Sequence, residues 1–496
     1  MSNMLRAFGV ITILSIIGKL LGFGREALIA AYFGTSPVAD VFFMANIIPL
    51  IMFTAIGTAI QAGIIPLYMK DKEKGHDVAR NHLNSLGTIF IWTAVAFSLV
   101  TFIFADIIME LIAPGFSEEQ LELGAFLTRI LAPTIVLLTF MAISTGVLHS
   151  RKHFLLPALS PAVQNVFVIV AIIFLSAEFG VVGLAIGVLA GVFIQFVIQY
   201  PPLQMDGFRM TMHFSPELKR RLVMFIPIIA AALFLQLNDV VDRIITSTLS
   251  SGSVAAINYA SRLVWIPVSL IMTPLITVFY PSLVEKTSAP GEGFIHMVKR
   301  GMFAIFLIAV PFEIVMLLEG KHVVEFAFQR GVFGDQALNL TWRAFFFFAV
   351  ALPFFALRDF LMNALYAVRR FKAAMFTCLI GLVVNAGLSL FLASLMGIGG
   401  VALATSISMI ITVTFLFFTL KGIYTFYADG MLVRVAKVVP ISIVAWFGGY
   451  VSDFPVASEI GGIIISSIVV FLIYGVLLWL GDIVTREDIA ELRNGK

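Results

Sequence analysis

The stretch KLLGFGREALIAAYFG, Lys19 to Gly34, lies inside an apolar run that begins near Phe8. A run of roughly 20 residues at 1.5 Å per residue crosses the hydrocarbon core of a bilayer. Lys19, Arg25 and Glu26 sit where that crossing is deepest, and a charge there costs about 3 kcal/mol or more. Ser15, Lys19, Gly22 and Glu26 recur at i, i+4, i+7 and i+11, one helical stripe, with Arg25 three residues from Gly22 at its border. Such a stripe is excluded from lipid. Either it packs on a neighbour, with Lys19 and Glu26 compensating each other, or it forms a basic wall for an anion in a wet cavity, with Glu26 setting the local field.

The rest of the chain repeats this pattern. Its 496 residues are 60% hydrophobic and 12% charged, against about half apolar and a quarter charged in soluble domains. The fold class that follows is an all-α polytopic membrane protein. Apolar windows predict fourteen transmembrane helices, near 8–33, 38–68, 83–112, 122–148, 157–177, 181–203, 219–248, 252–284, 298–319, 337–367, 371–394, 398–420, 432–451 and 458–481. The first run continues into more membrane without a cleavage signal, so it reads as a helix rather than a signal peptide. GTSP at 34–37 and SSGS at 250–253 predict tight helical hairpins. The single cysteine, Cys378, excludes an intramolecular disulfide and a Cys-based metal site. No Walker loop, HExxH or nucleophile elbow is present and the seven His are scattered. Neither a catalytic centre nor a metal is therefore expected.

Of the 32 Lys and Arg, twenty-three fall in loops or helix ends on one side of the predicted topology, and Lys321, Arg330 and Arg343 on the other. That asymmetry predicts both termini in the cytoplasm. The other six, Lys19, Arg25, Arg129, Arg243, Arg262 and Arg358, fall within predicted spans. So many intramembrane cations call for water or an anionic ligand.

Two halves are related in sequence. A shift of 218 places Arg25 on Arg243 and Gly34 on Gly252; a shift of 217 places Gly180 and Gly183 on Gly397 and Gly400. The domains expected are 1–203 (spans 1–6), 204–421 (spans 7–12) and 422–496 (spans 13 and 14 with a cytoplasmic tail). Paired six-span bundles are a transporter layout, with substrate between them. On the seventh span Gln236, Asp239, Arg243 and Thr246 share a face; on the eighth, Asn258 precedes Arg262 by one turn. Guanidinium forks bind phosphate in a bidentate manner, and a pyrophosphate suits two or three such groups. Arg243 also has Asp239 and Asp242 close by, so a structural ion pair stands beside the ligand reading. Arg262 has no acid on its face. Asp40 either caps the second span or balances the arginines. Arg358–Asp359 reads mainly as a structural pair, and Arg129 beside Glu122 likewise. Asn385 and Ser389, with Val401 and Thr405, form two oxygen-bearing i, i+4 pairs; together with Asp242 they could hold a monovalent cation, or simply hydrogen-bond between helices.

At these residues a resemblance becomes specific. GKLLGFGREALIAAYFGTSPVADVFFMANIIP resembles the opening hairpin of the MurJ (MviN) family, within the multidrug/oligosaccharidyl-lipid/polysaccharide exporter superfamily. VVDRIITSTLSSGSVAAINYASRLVWIPVSL resembles that family's seventh and eighth helices, and APGF at 113–116, QRGVF at 329–333 and GIGGVALATSIS at 397–408 extend the likeness. The resemblance implies two six-helix lobes in a V, with helices 13 and 14 grooved for a lipid tail. The implied activity is flipping lipid II, an undecaprenyl-pyrophosphate-linked cell-wall precursor, across the cytoplasmic membrane. It also implies that Arg25, Asp40 and Arg262 match charged residues of the family's cavity, with Lys19 where an arginine is usual. PLIMF at 49–53 replaces a family PNLLR, and Trp265 stands where an acid is common. A flippase for another polyprenyl-pyrophosphate-linked glycan is therefore the second reading. A cation-coupled multidrug exporter ranks lower, because basic rather than acidic residues dominate the spans. The expected partners are the lipid-linked precursor, membrane lipids and cell-wall synthesis proteins, with no nucleic acid and a monomeric chain. No cofactor is expected, and coupling runs to the membrane potential or a monovalent cation.

Overall fold

The structure is a computed structural model that describes residues 2–59, 68, 71, 73, 75–151, 153–205, 208–211, 216–286, 292–368, 370–423, 431–451, 459–481 and 483. Among the described residues all regular structure is helical. The chain separates into two compact units, residues 1–255 with 330–337 and residues 256–329 with 338–496.

The first unit holds α1 (Ser2–Phe33), α2 (Pro37–Ala45), α3 (Ile47–Ala59), α4 (His76–Ile103), α5 (Ala105–Ile112), α6 (Glu118–Leu131), α7 (Thr134–Ser150), α8 (Leu155–Phe174), α9 (Ser176–Met205) and α10 (Pro216–Ser247). Next, α11 (Ser253–Lys286) begins in the first unit and runs on into the second. The second unit continues with α12 (Glu292–Leu318), α13 (Gly320–Phe328), α14 (Asp335–Ala349, its first three residues in the first unit), α15 (Leu352–Ala367), α16 (Phe371–Met396), α17 (Ile398–Ile423), α18 (Met431–Val451) and α19 (Glu459–Leu480). In the first unit α1 packs along α8 and α9 along α8 and α7; in the second, α16 packs on α17 and α12 on α15 and α18.

The helix breaks expected at GTSP and SSGS form where the turn chemistry places them. The break between α1 and α2 ends on Ser36, whose hydroxyl accepts from the Ala39 N–H at 3.3 Å, with Pro37 at the first helical position. The matched glycines adopt one conformation. Gly180 has φ 54° and ψ −134°, and Gly397 has φ 61° and ψ −135°. That region is essentially closed to residues with a Cβ, so Gly180 kinks α9 near its start and Gly397 separates α16 from α17 with the one residue able to make the bend. Three positions on, a side chain at Gly183 would strike the Leu175 backbone, and one at Gly400 the Leu392 backbone. Leu392 is again 217 residues from Leu175.

Ten helices among the described residues are long and apolar enough to cross a membrane, or eleven if α14 and α15, bent by 53°, make one span. This is fewer than the fourteen expected. The remaining three expected spans fall on α1, α10 and α18, all helical at the expected places.

Candidate functional site

The charged stripe of α1 is built against α8. Glycines let the two helices close: a Cβ on Gly18 would lie 3.8 Å from the Ala162 nitrogen, and one on Gly22 would lie 3.3 Å from the Asn165 amide. Asn165 bridges the gap. Its Nδ2 donates to the Gly18 carbonyl at 3.1 Å, and its Oδ1 accepts from Arg25 Nη1 at 3.0 Å. Arg25 Nη2 donates to Glu26 Oε1 at 2.7 Å. Glu26 is buried, whereas the Arg25 side chain keeps 23% of its surface. Successive helical residues turn about 100°, so the exposed Ile13, Ile16, Ile17 and Leu20 form an apolar arc, and the exposed Ser15 and Lys19 a separate polar one. A helix in lipid needs that division: the apolar arc meets the acyl chains and the polar arc meets something else.

Asp40 and Arg243 point into the protein. Asp40, on α2, is 3% exposed; its carboxylate accepts from the N–H of Gly252 at 2.6 Å and of Ala255 at 2.7 Å. The first N–H groups of a helix have no partner within it, and an anion there also meets the positive end of the helix dipole. Asp40 thus caps α11, while Ser36 caps its own helix. Arg243, 9% exposed, donates from Nη1 to the Phe43 carbonyl at 3.1 Å. Asp242 beside it is buried, and its carbonyl accepts from Thr246. Arg129 pairs with Asp106 at 2.5 Å, across the α5–α6 turn, rather than with the expected Glu122.

In the second unit Arg262 lies exposed on α11, one turn beyond the buried Asn258. Arg358 donates from Nε and Nη2 to Asp359 at 3.0 and 2.8 Å, and its guanidinium stands 5.6 Å over the Trp265 ring. Trp265 therefore supplies a ring face to a cation, worth about 0.5–2 kcal/mol. Asn385 and Ser389 are fully buried, with the Ser389 hydroxyl 3.3 Å from Asn385 Oδ1. The Thr405 hydroxyl donates to the Val401 carbonyl at 3.1 Å. Among the described residues no cluster of three His, Cys, Asp or Glu has a metal-holding arrangement.

Asn165 was not anticipated from sequence. The available signal was an amide pair, Gln164–Asn165, in an otherwise apolar span, and such groups bond across helices.

The lipid II flippase MurJ family model matches residues 29–460. The chain belongs to the MurJ family. The lipid II flippase MurJ of Burkholderia cenocepacia is 27% identical over 440 residues, covering 85% of each chain. A probable lipid II flippase MurJ of Buchnera aphidicola subsp. Schizaphis graminum is 26% identical over 96% of this chain and 95% of its own. A solved lipid II flippase MurJ in an inward closed conformation superposes with a TM-score of 0.82, 25% identity and coverage of 94% of this chain and 97% of that one. An inward-facing multidrug resistance MATE transporter of the MOP superfamily shares the fold with a TM-score of 0.66 at 14% identity.

Proposed function

We propose that this chain is a lipid II flippase of the bacterial cytoplasmic membrane, moving the undecaprenyl-pyrophosphate-linked precursor across by alternating access. The match to the MurJ family model over residues 29–460 carries this reading. In it the chain crosses fourteen times with both termini in the cytoplasm, as two six-span lobes followed by two further spans. The head group enters from the cytoplasm, and its pyrophosphate meets Lys19, Arg25 and Arg262, while the tail stays in lipid along α18 and α19. Arg25 supports the anion step: Asn165 and Glu26 hold its guanidinium in place, so little rotamer entropy is lost when an anion docks. Asp40 and Arg243 serve in this reading as braces rather than contacts, because both engage backbone groups. An inside-negative potential assists outward movement of negative charge by about 2.3 kcal/mol per charge per 100 mV. A monovalent cation held by Asp242, or by the oxygens of Asn385, Ser389, Val401 and Thr405, would reset the empty carrier.

One observation favours a second head group. Phe53, at the position of the family's span-two arginine, packs against an apolar cluster of the first unit. A flippase for a different polyprenyl-pyrophosphate-linked glycan has that in its favour. Complementation decides between them: cells depleted of their lipid II flippase should grow when this chain is expressed. Failure there, with rescue of a strain lacking a flippase for another surface glycan, replaces the first reading by the second.

A further inference from the structure

Alternating access assigns no role to an acid on α12. Glu313 stands on α12, five residues from its Leu318 end, so about 8 Å along the axis from that end. It lines a cavity of about 330 Å³ between α12 and α18, walled by Phe306 and Val310 on one side and by Val439, Ser442 and Trp446 on the other. Among the described residues Glu313 makes no ion pair, and the cations of these two helices, Lys299, Arg300, Arg434 and Lys437, lie toward the opposite helix ends. The Ser442 hydroxyl hydrogen goes to the Val438 carbonyl at 2.9 Å, so toward a ligand its oxygen can only accept. Trp446 stacks on Tyr450 at 5.6 Å and 11°, which fixes the plane of the indole. In the same three-helix core, the Tyr474 hydroxyl is buried without a hydrogen-bond partner.

A carboxylate, an acceptor-only hydroxyl and an indole face, set in apolar walls, make up the chemistry that binds an ammonium group. A bare hydrocarbon chain would satisfy the walls but offer the half-buried carboxyl nothing, and an ionisable group at membrane depth calls for a partner. We propose that this cavity binds the ammonium end of an amphiphile, with Glu313 as countercharge, Trp446 as the cation–π face and the aliphatic walls holding the first carbons of its chain. The space accommodates about ten water-sized groups, enough for a trimethylammonium and a few methylenes. The bilayer could supply such a ligand as an aminophospholipid, or it could be a free lipophilic amine; either presents the same cation. The inference does not depend on what the chain transports.

The test uses the full chain in nanodiscs of phosphatidylglycerol, with radiolabelled decyltrimethylammonium as probe. Saturable binding is expected, at least tenfold weaker in Glu313→Gln and in Trp446→Leu. Val439→Trp, which plugs the mouth at an exposed position and leaves Glu313 in place, should abolish it, and 1-decanol should not displace the probe. Adding phosphatidylethanolamine separates the two sources. Displacement of the probe identifies the lipid head group as occupant, and undisturbed binding identifies the free amine. Non-saturable binding, unchanged binding in Glu313→Gln, or equal competition by decanol would overturn the proposal.

Discussion

Arg25 and Asn165 are 140 residues apart and form the best-defined contact of the candidate site. Asn165→Ala removes the acceptor that orients the guanidinium and the donor to the Gly18 carbonyl. We expect lipid II binding to weaken about tenfold, a loss of about 1.4 kcal/mol, measured with purified protein and labelled lipid. Asn165→Asp keeps the acceptor to Arg25 but loses the donor to the Gly18 carbonyl and adds a carboxylate against Arg25, so it should weaken anion binding more than alanine does. Binding at the wild-type level in both variants would remove Asn165 from the site. The α1 stripe was legible from sequence because a charge in an apolar run is expensive wherever it lies. Asn165 was not, since a neutral amide is tolerated in many packings and its partner is distant in sequence. Asp40 was only half legible: its charge was noticed, but the helix it caps begins more than 200 residues later.

Single backbone positions set how the helices join. A Cβ on Gly180 or Gly397 would meet nothing within 4 Å, so the cost of alanine there is conformational alone. Gly180→Ala and Gly397→Ala should each destabilise the fold by about 1–3 kcal/mol. Gly387→Ala, on the helical backbone of α16 with equally open surroundings, should be neutral or stabilising by up to about 1 kcal/mol. Thermal unfolding in detergent compares the three, and a neutral Gly397→Ala would refute the conformational argument. Asp40→Ala exposes the first N–H groups of α11 to an uncompensated environment and should cost about 1–3 kcal/mol. The helices and their short turns were readable from apolar length and turn residues.

At the scale of the molecule, the distribution of Lys and Arg predicts topology, and labelling tests it. With Cys378→Ser as background, a membrane-impermeant maleimide applied to intact cells should label Gln336→Cys and spare Arg209→Cys; the reverse pattern would invert the chain. The internal repeat was legible because glycine conformation and close helix approach constrain both copies alike. Glu313 is not legible in the sequence, because a lone acid in an apolar run belongs to no stripe and no repeat. The account as a whole rests on an anion-binding wall on α1 that serves lipid II transport. Proteoliposomes holding the purified chain and fluorescent lipid II, with a membrane-impermeant quencher outside, measure that movement directly. The account predicts that the wild-type chain renders inner-leaflet lipid II accessible, that Arg25→Lys slows this, and that Arg25→Ala reduces it at least tenfold. Wild-type transfer no faster than in protein-free liposomes, or full transfer by Arg25→Ala, would contradict it.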